Sequence, residues 1–545
     1  MLSAGDALSG VATSTLRRTT ATTMLGALDE QAERFGDDPF LISAEDVVST
    51  FADVRDRSRD LAAGLVHHGV EPGDRVAFMA RNRNELVELT FGSSYGQMIC
   101  VPVNVFLKGE FLSHQLINSA ATAIAVDRTG LDALSPVLAL LPDLRLVITL
   151  EPGLVVDGFS GVVIEYAELF GTGGVLACYE PGPLDTFLIL YTSGTTGSSK
   201  GCMLSQAYMV RVGRVMSGML DVVDDDVQLC VHPMFHMSGQ MDLAIALITG
   251  TAMGVETQFS ASSFFPRAKE LGATFWGGPG ISDLLLLQPA TKDHKLRRWI
   301  GLPFSPQQSQ TMLDKFGILS ICQGYAQTES NPISSVGLNT PGAPETNGRV
   351  MADLDCQVVD DNDFPVPVGT VGEIVIRPRI PGAMFSGYWN DAERTLQGWR
   401  NLWHHTGDLG RFDEAGNLTF VDRKSDSMRR RGENISAMEL ERALLGFDPI
   451  AEVAVHAVRA QDQSEDDIKA CIVLKPDATF DRESFAAFVN DRIPHFAVVR
   501  YYELLDSLPR NPIGRVQKFV LRKNAVTELT VDLFEAGLTS DRRKK

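Results

Sequence analysis

Short apolar runs alternate with longer amphipathic stretches through about the first four hundred residues of the chain. The runs at residues 74–79, 98–103 and 122–126 have the length and composition of buried strands. The stretches at residues 84–98 and 109–119 predict helices between them. Because strand–helix–strand order produces parallel strands with helices on the faces of the sheet, the pattern predicts a layered α/β fold.

The pattern changes after Gly348. Short strands separated by Gly and Pro turns are predicted at residues 355–359, 372–376 and 418–422, which indicates a small β-rich subdomain. A charged stretch at residues 422–426 is typical of an interdomain hinge. Beyond it, the pattern predicts an α+β unit with a helix at residues 437–445, strands at 450–458 and 468–475, and a helix at 482–492.

The predicted fold class is therefore α/β. A large N-terminal domain of layered α/β sheets plus a β-rich subdomain is followed by a small, mobile α+β C-terminal domain. The predicted boundaries are a flexible N-terminus at residues 1–20, the N-terminal domain at 21–424, the hinge at 425–426, the C-terminal domain at 427–530 and a flexible tail at 531–545.

Acidic residues outnumber basic ones, and this limits the partners of the chain. With 69 Asp and Glu against 49 Lys and Arg, the 545 residues carry a formal charge of −20, which argues against nucleic acid or an anionic membrane as a general partner. The 7 cysteines form no Cys-x-x-Cys pair, as is usual for reduced intracellular thiols. No uninterrupted apolar stretch predicts a membrane span or a signal peptide, so we expect a cytoplasmic enzyme.

A loop rich in hydroxyls and glycines carries the strongest chemical signal. Residues 191–201, YTSGTTGSSKG, follow the apolar run at residues 186–190, and they surround Lys200 with Ser, Thr and Gly. Backbone N–H groups and hydroxyls in such a loop bind a polyphosphate, and glycines allow the main chain to approach it. The alternative is a flexible surface turn. The spacing of Gly194, Gly197 and Lys200 differs from that of a Walker loop.

This loop resembles the phosphate-binding signature of the adenylate-forming superfamily, which includes acyl-CoA synthetases, peptide-synthetase adenylation domains and firefly luciferases. Ser199 stands where the family usually has a proline. The resemblance implies that the nucleotide phosphates are bound by Thr192, Ser193, Gly194, Thr195, Thr196, Gly197 and Lys200.

The segment GYAQTE at residues 324–329 resembles the family's Tyr-Gly-x-Thr-Glu motif, with Ala326 in place of its glycine. The resemblance implies that Thr328 contacts the α-phosphate and that Glu329 helps to hold Mg²⁺, a cation that prefers oxygen ligands. A Thr-Glu pair by itself would favour the start of a helix. The nucleotide contacts implied for the rest of the motif are Gly324, Tyr325, Ala326 and Gln327.

Three further positions match the family in the expected order. Asp408, in the Thr-Gly-Asp of residues 406–408, is implied to accept hydrogen bonds from the ribose hydroxyls. Arg423 matches an arginine that contacts the nucleotide near the hinge. His236 resembles a histidine beside the reacting carboxylate and the pantetheine channel, and its alternative role is a packed core residue.

The segment RRRGENIS at residues 429–436 resembles the hinge-proximal hairpin of acid–CoA ligases, nearest the crotonobetaine/carnitine–CoA ligase-like group. The resemblance implies that Gly432 lies against the pantetheine arm of CoA, with Arg431 and Glu433 beside it. The arginines either bind the phosphates of CoA or form a solvated basic face. Ser425 occupies the hinge position, where the family usually has Asp or Lys.

Two positions depart from the family. Arg515 replaces the lysine that bridges the substrate carboxylate and the α-phosphate during adenylation, and Arg is a poor substitute for Lys in a tight site. Lys518, three residues later, is a candidate replacement, although its register is unfavourable. The family's small Gly-Gly-Ala-Pro segment below the adenine is Ile-Gly-Leu-Pro at residues 300–303. Both changes are expected to weaken adenylation, and the exchange at Arg515 is expected to spare thioester formation. The alternative is a complete ligase that tolerates Arg515.

The resemblance implies an acyl-CoA ligase that forms a thioester from a carboxylic acid through an acyl-adenylate, with ATP or AMP, CoA and Mg²⁺. If adenylation is impaired, a separate adenylating enzyme would supply the acyl-adenylate. The alternatives are a stand-alone adenylation enzyme that loads a carrier-protein thiol, and a non-catalytic acyl-adenylate binder. The acid pocket is expected at residues 235–241 and 276–280.

Overall fold

The computed structural model describes residues 17–174, 179–192, 199–277, 282–301, 306–336, 346–423, 428–430, 433–435, 437–459, 465–509, 516 and 518–539. The chain forms two compact units. The first is built from the described parts of Met1–Val105, Leu116–Tyr191 and Gly201–Asp422, and the second from those of Phe106–Gln115, Thr192–Lys200 and Arg423–Lys545.

The elements up to residue 350 form two large sheets and the helices on their faces. The strands are β1 (Pro39–Ser43), β2 (Val48–Thr50), β3 (Arg75–Met79), β4 (Ile99–Pro102), β5 (Ala121–Val126), β6 (Leu146–Thr149), β7 (Val162–Glu165), β8 (Thr186–Thr192), β9 (Lys200–Ser205), β10 (Val227–Cys230), β11 (Ala252–Val255), β12 (Phe275–Gly277), β13 (Arg298–Gly301), β14 (Ser320–Gln327), β15 (Ser330–Val336) and β16 (Arg349–Val350). The helices are α1 (Met24–Phe35), α2 (Phe51–His67), α3 (Asn84–Tyr95), α4 (Gly109–Ser119), α5 (Arg128–Leu134), α6 (Gln206–Met219), α7 (Met237–Thr249), α8 (Phe264–Leu271), α9 (Ser282–Leu286) and α10 (Pro306–Phe316).

One sheet has the strand order β7-β6-β5-β3-β4-β8-β9 and the other the order β16-β15-β14-β13-β12-β10-β11-β1-β2. In the second sheet, β1, β11, β10, β12, β13 and β14 pair in parallel, and the edges at β2 and β15–β16 are antiparallel. The helices between the strands bury the apolar faces that the sequence pattern predicts. Helix α7 is buried along nearly its whole length, and Gly213 of α6 lets the two helices pack closely, because a Cβ there would lie 2.5 Å from the Ala244 carbonyl oxygen.

A smaller sheet follows, made of β17 (Leu354–Val359), β18 (Gly372–Pro378), β19 (His404–Phe412) and β20 (Leu418–Arg423), with helix α11 (Ala392–Gly398) between β18 and β19. The pairs β17–β18 and β18–β19 are antiparallel. This is the β-rich subdomain that the sequence predicts.

The second unit contains the hairpin β21 (Met428–Arg430) and β22 (Glu433–Ile435), a sheet of β23 (Ile450–Arg459), β24 (Asp466–Leu474), β25 (Tyr501–Leu504) and β26 (Val531–Asp532), and the helices α12 (Ala437–Leu444), α13 (Arg482–Arg492) and α14 (Lys518–Lys523). The order of α and β elements confirms the predicted fold class, a large α/β domain followed by a small α+β domain.

Both ends that the sequence predicts to be flexible include described residues. Within residues 1–20, the described residues 17–20 are packed, since the Thr19 N–H donates to the Ile248 carbonyl at 3.1 Å. Within residues 531–545, strand β26 pairs with β25, and Leu533 is fully buried. Charge pairing between Arg500 and Asp532 holds this segment on the sheet.

Replacing Glu503 with Gln is expected to change how the stability of the second unit depends on pH. Glu503 is buried beside Lys469, and both bond to Thr530. Burial opposes ionisation, but the bonds from Lys469 and Thr530 outweigh it and lower the pKa of Glu503. This stabilisation is present above the unfolded pKa of about 4.3 and is lost as the pH falls through the lower folded pKa.

Urea unfolding at a series of pH values measures this effect. Glu503→Gln should be less stable than wild type at neutral pH, because Lys469 loses its partner, and the gap should narrow in acid. The control is Glu528→Gln, which changes an exposed glutamate in the same unit. A gap that stays constant across the pH range would contradict the prediction.

Candidate nucleotide and acyl site

Thr328 and Glu329 form the turn between β14 and β15 and do not start a helix. The Tyr208 hydroxyl donates to the Thr328 carbonyl at 2.8 Å, and the Phe385 N–H donates to the Glu329 carbonyl at 2.9 Å. The Tyr388 hydroxyl donates to Glu329 Oε1 at 2.8 Å. Burial and the Glu329 charge raise the pKa of Tyr388 above its usual value, so the hydroxyl keeps this proton. The turn is therefore fixed from both sides.

The Asp408 carboxylate is brought to the end of β14 by two side chains of the Gly324–Gln327 motif. Tyr325 donates to Asp408 Oδ2 at 2.8 Å, and Gln327 Nε2 donates to the same oxygen at 2.6 Å. Gln327 Nε2 also lies 2.9 Å from the Thr406 carbonyl. Burial, with the Asp408 charge, raises the pKa of Tyr325 well above its usual value. These hydrogen bonds bring together two motifs that lie about eighty residues apart in sequence.

The side chain of Glu373 holds the Thr406–Asp408 turn. Its Oε1 accepts the Gly407 N–H at 3.2 Å, and its Oε2 lies 3.2 Å from Arg400 Nη2 and 3.3 Å from His405 Nδ1. The turn carrying Asp408 therefore rests on a buried carboxylate. Sequence reasoning missed Glu373, because its contacts join strands β18 and β19 and leave no local pattern.

Asn347 is a second residue that sequence reasoning missed. Its Nδ2 donates to the Gly324 carbonyl at 3.2 Å, and its Oδ1 accepts the Phe420 N–H at 2.7 Å. The rings of Phe420 and Tyr325 stack with centroids 5.8 Å apart. Gly324 itself requires glycine, since a Cβ would lie 2.6 Å from the Ser334 carbonyl oxygen. Ala326, which replaces the family's glycine, lies in β14 between Tyr325 and Gln327.

His236 precedes the first turn of α7 and ends a tightly held loop. Asn82 holds this loop by donating to the His232 carbonyl at 2.7 Å and accepting the Met234 N–H at 2.8 Å. Gln240 Nε2 donates to the Met234 carbonyl at 2.5 Å. The loop is thus positioned by two polar side chains, one of them distant in sequence, and His236 is fixed by its backbone.

The remaining predicted site residues lie elsewhere. Thr192 ends β8 and Lys200 begins β9; Ser199 Oγ accepts from Gln115 Nε2 at 3.3 Å. Arg423 ends β20 and Glu433 begins β22. Outside the described residues lie Ser193, Gly194, Thr195, Thr196, Gly197, Ser425, Arg431, Gly432 and Arg515.

Two basic residues of the second unit already have partners. Lys518 Nζ lies 2.6 Å from Glu441 Oε1. Arg430 is buried, donating to the Val498 carbonyl at 2.9 Å. Arg430 therefore belongs neither to a solvated basic face nor to an exposed phosphate site, because its guanidinium is used inside the unit.

The Thr328–Glu329 turn suits a nucleotide-bound Mg²⁺. Glu329 supplies a buried carboxylate, and a hard cation accepts carboxylate and phosphate oxygens together. Among the described residues no group of three or more His, Cys, Asp or Glu side chains could hold a metal ion by itself. Glu329 could supply one oxygen ligand to such a cation.

Comparisons with known proteins identify the family of the chain. The family described as AMP-binding enzyme matches residues 28–389, and the AMP-binding enzyme C-terminal domain matches residues 439–515. Crotonobetaine/carnitine–CoA ligase of Salmonella typhi is 30% identical over 509 residues, which cover 90% of this chain and 97% of that protein.

Solved structures show the same fold. An amide bond synthetase from Marinactinospora thermotolerans matches with a TM-score of 0.79 at 22% identity, covering 92% of this chain and 99% of the other. The o-succinylbenzoate CoA synthetase of Bacillus subtilis matches with a TM-score of 0.78 at 22% identity, covering 91% and 98%. Within the part of the chain that is described, no helix has the length and apolar character needed to cross a bilayer.

Gly239→Ala is expected to destabilise the first unit by about 1–3 kcal/mol. A Cβ at Gly239 would overlap the backbone of Pro233 and Met234, so the loop before His236 must shift. Thermal unfolding measures the effect. Gly398→Ala is the matched control, because its Cβ would have no neighbour closer than 3.7 Å. Equal melting temperatures for the two variants would contradict the described packing of the loop.

Proposed function

Because the chain belongs to the AMP-binding enzyme family, we propose that it joins a carboxylic acid to the thiol of CoA through an acyl-adenylate. The main supporting observation is the cluster at the end of β14, where Tyr325 and Gln327 hold Asp408 beside the Thr328–Glu329 turn. A buried carboxylate held in this way is suited to accept hydrogen bonds from a ribose.

The proposed reaction has two steps. A carboxylate oxygen attacks the α-phosphorus of ATP, and pyrophosphate leaves. The sulfur of CoA then attacks the carbonyl carbon of the mixed anhydride, the bond to the phosphate oxygen breaks, and AMP leaves while the thiol releases its proton. AMP is a good leaving group, so the second step needs mainly positioning of the thiol and the carbonyl.

The described residues have separate roles in this proposal. Asp408 binds the ribose, and Thr328 binds the α-phosphate from the turn after β14. Glu329 would hold Mg²⁺, which supplies charge neutralisation on the phosphates when it is bound. His236, at the start of α7, would lie beside the reacting carbonyl. Thr328 and Glu329 are held by contacts from outside their own motif, and Asn82 holds the loop that precedes His236, so the site is preorganised.

Arg515 is the reason to propose that the two steps differ in efficiency. The family lysine at this position offsets negative charge when the carboxylate approaches the α-phosphate, and the broad planar guanidinium of arginine is not an equivalent replacement in a tight site. The second step does not use this lysine. We therefore propose that thioester formation is retained and adenylation is weak, so that a separate adenylating enzyme supplies the acyl-adenylate.

The Lys518–Glu441 pair bears on the same proposal. Glu441 Oε1 accepts both Lys518 at 2.6 Å and the Val455 N–H at 2.7 Å, which ties α14 to β23 through α12. Recruiting Lys518 to the reacting phosphate would break this contact. We therefore propose that Lys518 stabilises the second unit and does not replace the missing lysine.

ATP–pyrophosphate exchange with a panel of carboxylic acids tests the first step. Wild type is expected to exchange slowly, and Arg515→Lys should raise the rate by about tenfold or more, since one preorganised charge contributes at least this factor. Lys518→Gln should leave exchange unchanged and lower thermal stability slightly. Fast exchange by wild type that Lys518→Gln abolishes would contradict the proposal and assign the lysine's role to Lys518.

A further inference from the structure

A buried carboxylate and a buried imidazole lie together in the first unit. Asp242, in α7, is 0% exposed, and His232, just after β10, is 6% exposed. His232 Nδ1 lies 3.4 Å from Asp242 Oδ2, and Gln228 Nε2 donates to Asp242 Oδ1 at 2.5 Å. The proposed reaction uses none of these three side chains.

Several polar atoms of this pair are buried without a hydrogen bond. Among the described residues, His232 Nε2 has no hydrogen-bonding partner, and His232 Nδ1 and Asp242 Oδ2 meet only at the long distance of 3.4 Å. Burial raises the pKa of Asp242, although His232, Cys230 and Gln228 oppose the shift. Nearly all buried polar groups in native proteins are bonded, so these atoms are suited to a polar partner that the described residues do not supply.

The pair lies on the same edge of the sheet as the nucleotide cluster. Strands β10, β12, β13 and β14 are neighbours in that order and run parallel, so their carboxyl ends share one edge, where α/β proteins bind ligands. Asp408 is held at the end of β14, and His232 follows β10. The ends of β14 and β10 are three strand spacings apart, and at about 4.8 Å each this makes about 14 Å. An acyl chain joined to a nucleotide phosphate can span this distance.

Gly277 lies against the buried carboxylate at this edge. It ends β12, and a Cβ added there would lie 3.7 Å from Asp242 Oδ1, 3.6 Å from Ile300 Cβ and 3.7 Å from Met241 Cε. Gly277 and Met241 also belong to the two segments from which the sequence predicts the acid pocket.

We propose that Asp242 and His232 select the acid by its far end, favouring an acid that ends in a hydrogen-bond donor, a hydroxyl or an amine, over one that ends in a methyl group. A terminal hydroxyl can donate to Asp242 Oδ2 and accept from the imidazole. A methyl group leaves both buried groups unbonded, which is the arrangement by which polar sites reject apolar analogues. This inference rests on the proposed function for the place of the acyl chain.

Binding of acyl-sulfamoyl-adenosines tests the selectivity without requiring catalysis. These compounds replace the reactive phosphate of the acyl-adenylate with a stable sulfamate. Pairs with an ω-hydroxyl or an isosteric terminal methyl group, in chain lengths from butanoyl to octanoyl, are titrated by calorimetry. Wild type should bind the hydroxyl compound about tenfold or more tightly at its best chain length.

The variants separate selectivity from structural support. Asp242→Leu and His232→Phe should each bring the affinity ratio of the matched pair close to one. The control is Asp226→Asn, which changes another buried carboxylate at the opposite end of β10, bonded to Thr274 at 2.5 Å, and which should destabilise the protein without changing the ratio. If Asp242→Leu does not fold, the affinity ratio measured for His232→Phe tests the same prediction.

Each outcome decides the inference. A wild-type ratio near one at every chain length, a ratio that survives both substitutions, or no binding of either compound would overturn it. Thioester formation from the corresponding acyl-adenylates and CoA is measured separately. Selective binding without thioester formation would contradict the proposed function and leave the selectivity of the pocket supported.

Discussion

The candidate site depends on one constraint, the common direction of neighbouring parallel strands. Because β10, β12, β13 and β14 run parallel, the loops that leave their carboxyl ends meet at one edge of the nine-stranded sheet. The loop before His236, Gly277 and the Thr328–Glu329 turn come together for this reason alone. No single one of these segments contains enough polar groups to bind a nucleotide and an acyl chain.

Buried polar contacts then convert this edge into a defined geometry. Asp408 belongs to a different sheet, and its position at β14 depends on hydrogen bonds from Tyr325 and Gln327. Each donor left unbonded in such a buried group costs about 1–3 kcal/mol, so the network favours a single arrangement. Glu373 and Asn347 act one step further from the ligand, because they hold the backbone that carries Asp408 and Gly324. The site is therefore stabilised by residues that hold the backbone of the two motifs.

Much of this fold could be predicted from sequence, since alternating apolar runs and amphipathic stretches depend on local periodicity. The predicted strand at residues 74–79 is β3, and the predicted helix at residues 482–492 is α13. Motif order similarly located Tyr325, Gln327 and Asp408. The roles of Asn82, Asn347 and Glu373 could not be predicted, because each depends on contacts between distant strands and loops. Strand β26 was missed for a similar reason: two residues pair with β25 and have no periodic pattern of their own.

Acyl transfer from an adenylate to CoA is the step on which the proposed function depends. The most direct measurement is the release of AMP from synthetic acyl-adenylates, with short, branched and aromatic acyl groups, in the presence and absence of CoA. We expect release that requires CoA and yields one acyl-CoA for each AMP, whether or not pyrophosphate exchange occurs. Release that does not depend on CoA, or binding of the adenylates with no turnover, would contradict it.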